Sequence, residues 1–144
     1  MKIKSFRDAI THDTQHKISL SGGDSDTGYR LVKFEALPQV PDGSHESVLQ
    51  IFTKKQSAAS VQIDFSDDTL LAAIWYAFEG SGSGDAAGYM KQIFDTVVVN
   101  QDIYITCKGG QGKNMNYYIE LEEVKMTNGE QAVVNFRAAL LHGE

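Results

Sequence analysis

Apolar and polar residues alternate with a period of two along much of this chain, most clearly in its last third. Between Asp102 and Cys107, the residues Ile103, Ile105 and Cys107 share one face, while Tyr104 and Thr106 take the other. That is the repeat of a half-buried β-strand, rich in good strand formers. Residues 116–122 repeat the pattern, with Tyr117, Ile119 and Leu121 opposed to Tyr118, Glu120 and Glu122. The glycine-rich run Gly109-Gly110-Gln111-Gly112 between them reads as a hairpin loop. The phase slips at Glu122-Glu123-Val124, as a β-bulge would make it. Asn128-Gly129 offers positive φ for a tight turn. A return strand is then expected over 131–137, with Ala132, Val134 and Phe136 on one face. A short helix using Val133, Phe136 and Leu140 is the rival reading of 131–141.

Earlier strands are expected at 15–20, 29–37, 47–54 and 60–65. In the second, Val32, Phe34 and Ala36 point inward and Lys33 and Glu35 outward; in the fourth, Val61, Ile63 and Phe65 alternate with Gln62 and Asp64. Residues 70–78 could form a helical turn through Leu-Leu-Ala-Ala, but Trp75, Tyr76 and Phe78 favour a strand. Residues 90–99 read as a further strand. At the start, Ile3, Phe6 and Ile10 fit a short amphipathic helix, or an arm over 1–14 that docks on a neighbour. Glycines punctuate the gaps, and the only prolines are Pro38 and Pro41. Eight or nine short strands with frequent turns predict an all-β fold, an antiparallel β-sandwich of jelly-roll or other Greek-key type. Residues 15–144 form its single domain.

Composition narrows the function. The 144 residues are 42% hydrophobic and 22% charged, a globular balance. A net charge of −6 and a pI near 5.1 disfavour nucleic acid and anionic membrane as partners. Cys107 is the lone cysteine, so no intrachain disulfide forms. The first residues lack the apolar run of a signal peptide. Synthesis in a reducing cytoplasm is the expectation.

No catalytic or metal signature stands out. His12 and His16 are four apart with Asp8 and Asp13 nearby, but two exposed histidines in a polar stretch are too few ligands for a metal. Asp24, Asp26 and Thr27 sit in an oxygen-rich loop without the bidentate glutamate of a calcium loop. Asp64, Asp67 and Asp68 form an acidic cluster that reads as a solvated turn. Gly109 to Lys113 lacks phosphate-loop spacing, with Asn114 where Ser or Thr is needed. No G-x-S-x-G or H-E-x-x-H motif occurs. No enzyme activity, cofactor or metal is expected.

What remains is aromatic. Trp75, Tyr76, Tyr104 and Tyr118 fall on outward or ambiguous faces, and such side chains anchor protein interfaces or stack on sugars. Residues 63–73 (Ile-Asp-Phe-Ser-Asp-Asp-Thr-Leu-Leu-Ala-Ala), 94–125 and the opening 4–17 resemble small virion structural proteins of marine and cyanobacterial tailed bacteriophages. The resemblance touches about half the chain and implies a capsid decoration or cement protein, or a tail or neck subunit. On that reading the chain is a homo-oligomer that meets other virion proteins. The expected contact residues are Ile3, Phe6, Ile10, Trp75, Tyr76, Tyr104 and Tyr118, together with the 80–88 loop. A Tyr104/Tyr118 face is expected to carry contacts, and deleting 1–14 should weaken assembly while sparing the fold. A carbohydrate-binding module of a phage particle is the alternative.

Overall fold

The computed structural model describes residues 2–20, 26–40, 43–79 and 87–142, the side chains of 79, 87–91, 94 and 137–142 excepted. Nine strands and one helix occur among them: β1 (Lys2–Ile10), β2 (Thr14–Ile18), β3 (Thr27–Pro38), β4 (His45–Phe52), β5 (Leu70–Glu79), β6 (Ala87–Phe94), β7 (Val98–Val99), β8 (Ile103–Lys108), β9 (Met115–Lys125) and α1 (Asn128–His142). They build two antiparallel sheets. Sheet A has the order β1-β9-β3-β7, and sheet B the order β2-β8-β4-β5-β6. The expected all-β sandwich is the observed architecture.

The core lies between the sheets, where the alternation put it. Ile119 and Leu121 of β9 meet Phe34 and Leu31 of β3. Across the gap lie Leu49 and Ile51 of β4, Ile74 of β5, and Ile103 and Ile105 of β8, all fully buried. Each such side chain contributes roughly 1.5–3 kcal/mol by leaving water.

Several expectations change. Residues 2–10 are neither helix nor free arm but an edge strand in register with β9, from Lys2↔Glu123 to Ile10↔Met115. Even-numbered positions point inward, so Phe6 packs on the core and Ile10 is wholly inside it. Removing this segment would therefore damage the fold itself. The bulge lies on β3, between Leu31 and Lys33, and not on β9, whose pairing runs unbroken through 122–124. It turns Val32 away and leaves Leu31, Phe34 and Ala36 as the inward set. Gly28 marks no turn; it lies within β3, where Val98 and Met126 pack too close to admit a Cβ. Residues 60–65 form no strand; they cross the face of β4, which is already paired on both edges by β5 and β8, and the Gln50 side chain holds them there. The segment 90–99 splits into β6 and β7. Residues 131–141 belong to a helix, the rival reading, and Asn128-Gly129 opens it where a hairpin turn was expected.

The run 109–112 is no hairpin either. It carries the chain from β8 in sheet B to β9 in sheet A. Gly109 crosses so close to β4 that any Cβ would strike the Glu46 carbonyl, and Gly112 takes φ +63°.

Candidate interaction surface

The outer face of sheet A is built by three strands in register. Side chains from alternate positions form rows across it. Arg7 of β1 and Glu35 of β3 flank Tyr118 of β9. The row on one side is Ser5, Glu120 and Lys33; the row on the other is Ala9, Asn116 and Leu37. The Tyr118 hydroxyl donates to Glu120 Oε2 at 2.6 Å, and the Lys33 ammonium stands 5.9 Å from the ring centroid. The bond to Glu120 comes first among the causes that hold the Tyr118 phenol above its ordinary pKa, and the negative charge of Glu35 adds to it. Further along, Arg30 donates to Glu122 at 2.8 Å. Because Ala9 and Asn116 are short, the face dips into an open hollow of about 680 Å³, lined by Arg7, Glu35, Leu37, Asn116 and Tyr118. Leu37 stands 67% exposed at its edge.

The outer face of sheet B is covered differently. Residues 53–69 cross it without strand pairing, held by two glutamines. Gln50, itself buried, donates to the carbonyls of Ser60 at 3.1 Å and Gln62 at 3.0 Å. Gln15 clasps the Gln56 backbone at both ends, donating to its carbonyl and accepting from its N–H. The acidic cluster lies within this cover, and two of its three carboxylates brace turns. Asp64 Oδ1 accepts from Ser66 N and Oγ at 2.9 and 2.6 Å, and Asp67 Oδ1 accepts from Thr69 N and Oγ1. The bonds from Ser66 hold the Asp64 carboxyl below its usual range.

The histidines serve local structure. His12 Nδ1 accepts from Gly109 N at 3.3 Å. His16 lies inward, its Nδ1 3.2 Å from the Tyr117 hydroxyl and 4.0 Å from the Asp8 carboxylate. Burial, with Asp8 as a second cause, pushes the Tyr117 phenol up to about 12. Cys107 is fully buried, and burial pushes its thiol up to about 11. Among the described residues, no three His, Cys, Asp or Glu side chains converge as metal ligands, and no helix is long and apolar enough to cross a membrane. Asp24 and residues 80–86 lie outside the described residues. Asp26 pairs with Lys125 at 3.4 Å.

The seven expected contact residues do not share a surface. Ile3 and Tyr118 lie on the outer face of sheet A. Tyr104 and Trp75 lie on the outer face of sheet B, where the Trp75 indole donates to Glu46 at 3.3 Å. Tyr76 turns inward, its ring 5.2 Å from that of buried His45. Phe6 lines the core and Ile10 is sealed in it. Tyr104 and Tyr118 both point outward, but β8 and β9 belong to different sheets, so no single Tyr104/Tyr118 face exists. The charged flanks of Tyr118, Arg7 and Glu35, were not singled out in the sequence; only the register across β1, β9 and β3 brings them together.

No protein-family model matches this chain, and no curated protein matches it.

Proposed function

We propose that the chain is a non-enzymatic structural subunit of a bacteriophage virion, a capsid decoration or cement protein or a tail or neck component, assembling through symmetric contacts with its own copies and with other virion proteins. The strand order carries this reading. Sheet A interleaves the first, ninth, third and seventh strands, and sheet B the second, eighth, fourth and fifth, with β6 added outside. That interleaving is how a jelly roll winds, a fold that recurs in viral capsid domains. The link from fold to role is analogy, joined to the resemblance of residues 4–17, 63–73 and 94–125 to phage structural proteins.

Local chemistry supports the absence of catalysis. The thiol of Cys107 stays protonated at neutral pH. Asp64 and Asp67 are committed to backbone turns. On the outer face of sheet A, half-buried Tyr118 and exposed Leu37, Arg7 and Glu35 are side chains suited to contact. Mass spectrometry of particles banded from a lysate of the producing cells tests the role. The chain should appear in a fixed ratio to the major particle protein; a chain found only in the soluble fraction sinks the proposal.

A carbohydrate-binding module is the second reading, favoured by Trp75 and Tyr104, both half-exposed on the outer face of sheet B. It calls for glycan binding that Trp75→Ala or Tyr104→Ala abolishes. Silence on a glycan array removes it.

A further inference from the structure

We propose that the outer face of sheet A is self-complementary and docks a second copy of this chain about a two-fold axis running along β9. The proposal deepens the assembly reading above and rests on it.

The rows set by strand register make the argument. Neighbouring strands stand about 4.8 Å apart, so Arg7 and Glu35 flank Tyr118 at equal distances on opposite sides. A two-fold axis along β9, lying in the plane of contact, carries each β1 position over the β3 position of the same row. Arg7 then lies over the partner's Glu35, and Glu35 over the partner's Arg7. Two opposite-charge pairs form from one row, as an isologous interface requires. In the next row, Ala9 comes over the partner's Leu37. The short side chain meets a leucine that stands 67% exposed, and the hollow between them closes. Tyr118 faces its own copy at the centre. The other two-fold, across the strands, would set Arg7 on Arg7 and Glu35 on Glu35, and like charges opposite one another repel.

The two charges are also available. Among the described residues, Arg7 and Glu35 have no ion-pair partner within the chain, whereas Lys2, Lys17 and Arg30 are paired to Glu123, Asp102 and Glu122. Glu120 and Glu122 would face their own copies, but Glu120 already holds the Tyr118 hydroxyl and Glu122 holds Arg30.

Size sets the strength. Nine residues along three strands cover about 30 by 15 Å. That footprint is smaller than the roughly 800 Å² per partner of a standard interface. The contact is weak in isolation and gains strength when many copies are held together.

Sedimentation equilibrium of the full chain, up to about 0.5 mM, tests this. Wild type should show a monomer–dimer equilibrium. Arg7→Glu places Glu over Glu35, and Glu35→Arg places Arg over Arg7, so each variant alone should dimerise at least tenfold more weakly. An equimolar mixture of the two should dimerise again, because each supplies the charge that the other lacks. Leu37→Asp, at an exposed position, should weaken dimerisation in the same way and serves if a charge variant fails to fold, as circular dichroism would reveal. A monomeric wild type, single variants that dimerise like wild type, or a mixture that stays monomeric each overturn the proposal. A monomeric chain present in particles overturns this face alone and leaves the assembly reading standing. A dimer that obeys the charge swap but is absent from particles supports the face and overturns the assembly reading.

Discussion

Two buried protons set the response of the fold to alkali. The Cys107 thiol is pushed from 9.0 to about 11, and the Tyr117 phenol from 10.0 to about 12. Both values are raised in the folded state, so the unfolded chain loses these protons first. Their stabilising share is complete below pH 9 and is lost as pH climbs to about 12. Urea midpoints should fall across that window, and Cys107→Ala should flatten the fall between pH 9 and 11. The same burial predicts that a thiol reagent labels Cys107 only as the protein unfolds. Gly109 is a second single-residue constraint. Gly109→Ala drives a methyl into the Glu46 carbonyl and should cost about 2 kcal/mol, read as a lower urea midpoint with an unchanged slope.

Single elements show what can and cannot be read from residue pattern. Strands β8 and β9 were legible because an inward apolar residue recurs at every second position for five or more residues. β1 was not, because its inward set is Lys2, Lys4, Phe6, Asp8 and Ile10. The polar members sit where the sandwich opens, with Lys2 reaching Glu123 at 3.5 Å and Lys4 reaching the Tyr29 hydroxyl at 3.4 Å. What remains, Ile3, Phe6 and Ile10, mimics helical spacing. Residues 60–65 err the other way: the alternation is real, yet the segment crosses the outer face of sheet B, held there by the Gln50 side chain and not by a neighbouring strand. Helix α1 did carry a signal. Thr127 and Glu130 form a capping box, each side chain bonded to the other's backbone N–H at 3.4 and 3.2 Å. The Asn-Gly pair inside it suggested a hairpin instead. Thr127→Ala should cost about 1 kcal/mol of local helix stability, seen as faster hydrogen exchange over 128–134. For the cover on sheet B, Gln50→Leu deletes both bonds to the Ser60 and Gln62 carbonyls. Limited proteolysis should then cut within 53–69 well before the sheets are attacked.

For the whole molecule, alternation says which side chains face in and out, but not which of two layers a strand joins. The sandwich was therefore predictable while its surfaces were not. Tyr104 and Tyr118 share a phase and lie on opposite sides of the molecule. The pairing Arg7–Tyr118–Glu35 needs three strands drawn from positions 7, 118 and 35, and no local pattern encodes that. The same topology makes residues 2–10 structural. A chain lacking them loses Phe6 and Ile10 and bares an edge of β9, so it should aggregate on refolding, measured by light scattering.

The place of β9 also dictates how the protein can be made. β9 is the central plank of sheet A, with β1 and β3 on its two sides, and among the described residues it leaves the ribosome after the eight other strands. Until residues 115–125 emerge, β1 has no neighbour to pair with and β3 has only the two-residue β7. Even with β8 synthesised, the nascent polypeptide must hold half its greasy interior uncovered, and it closes only when β9 arrives.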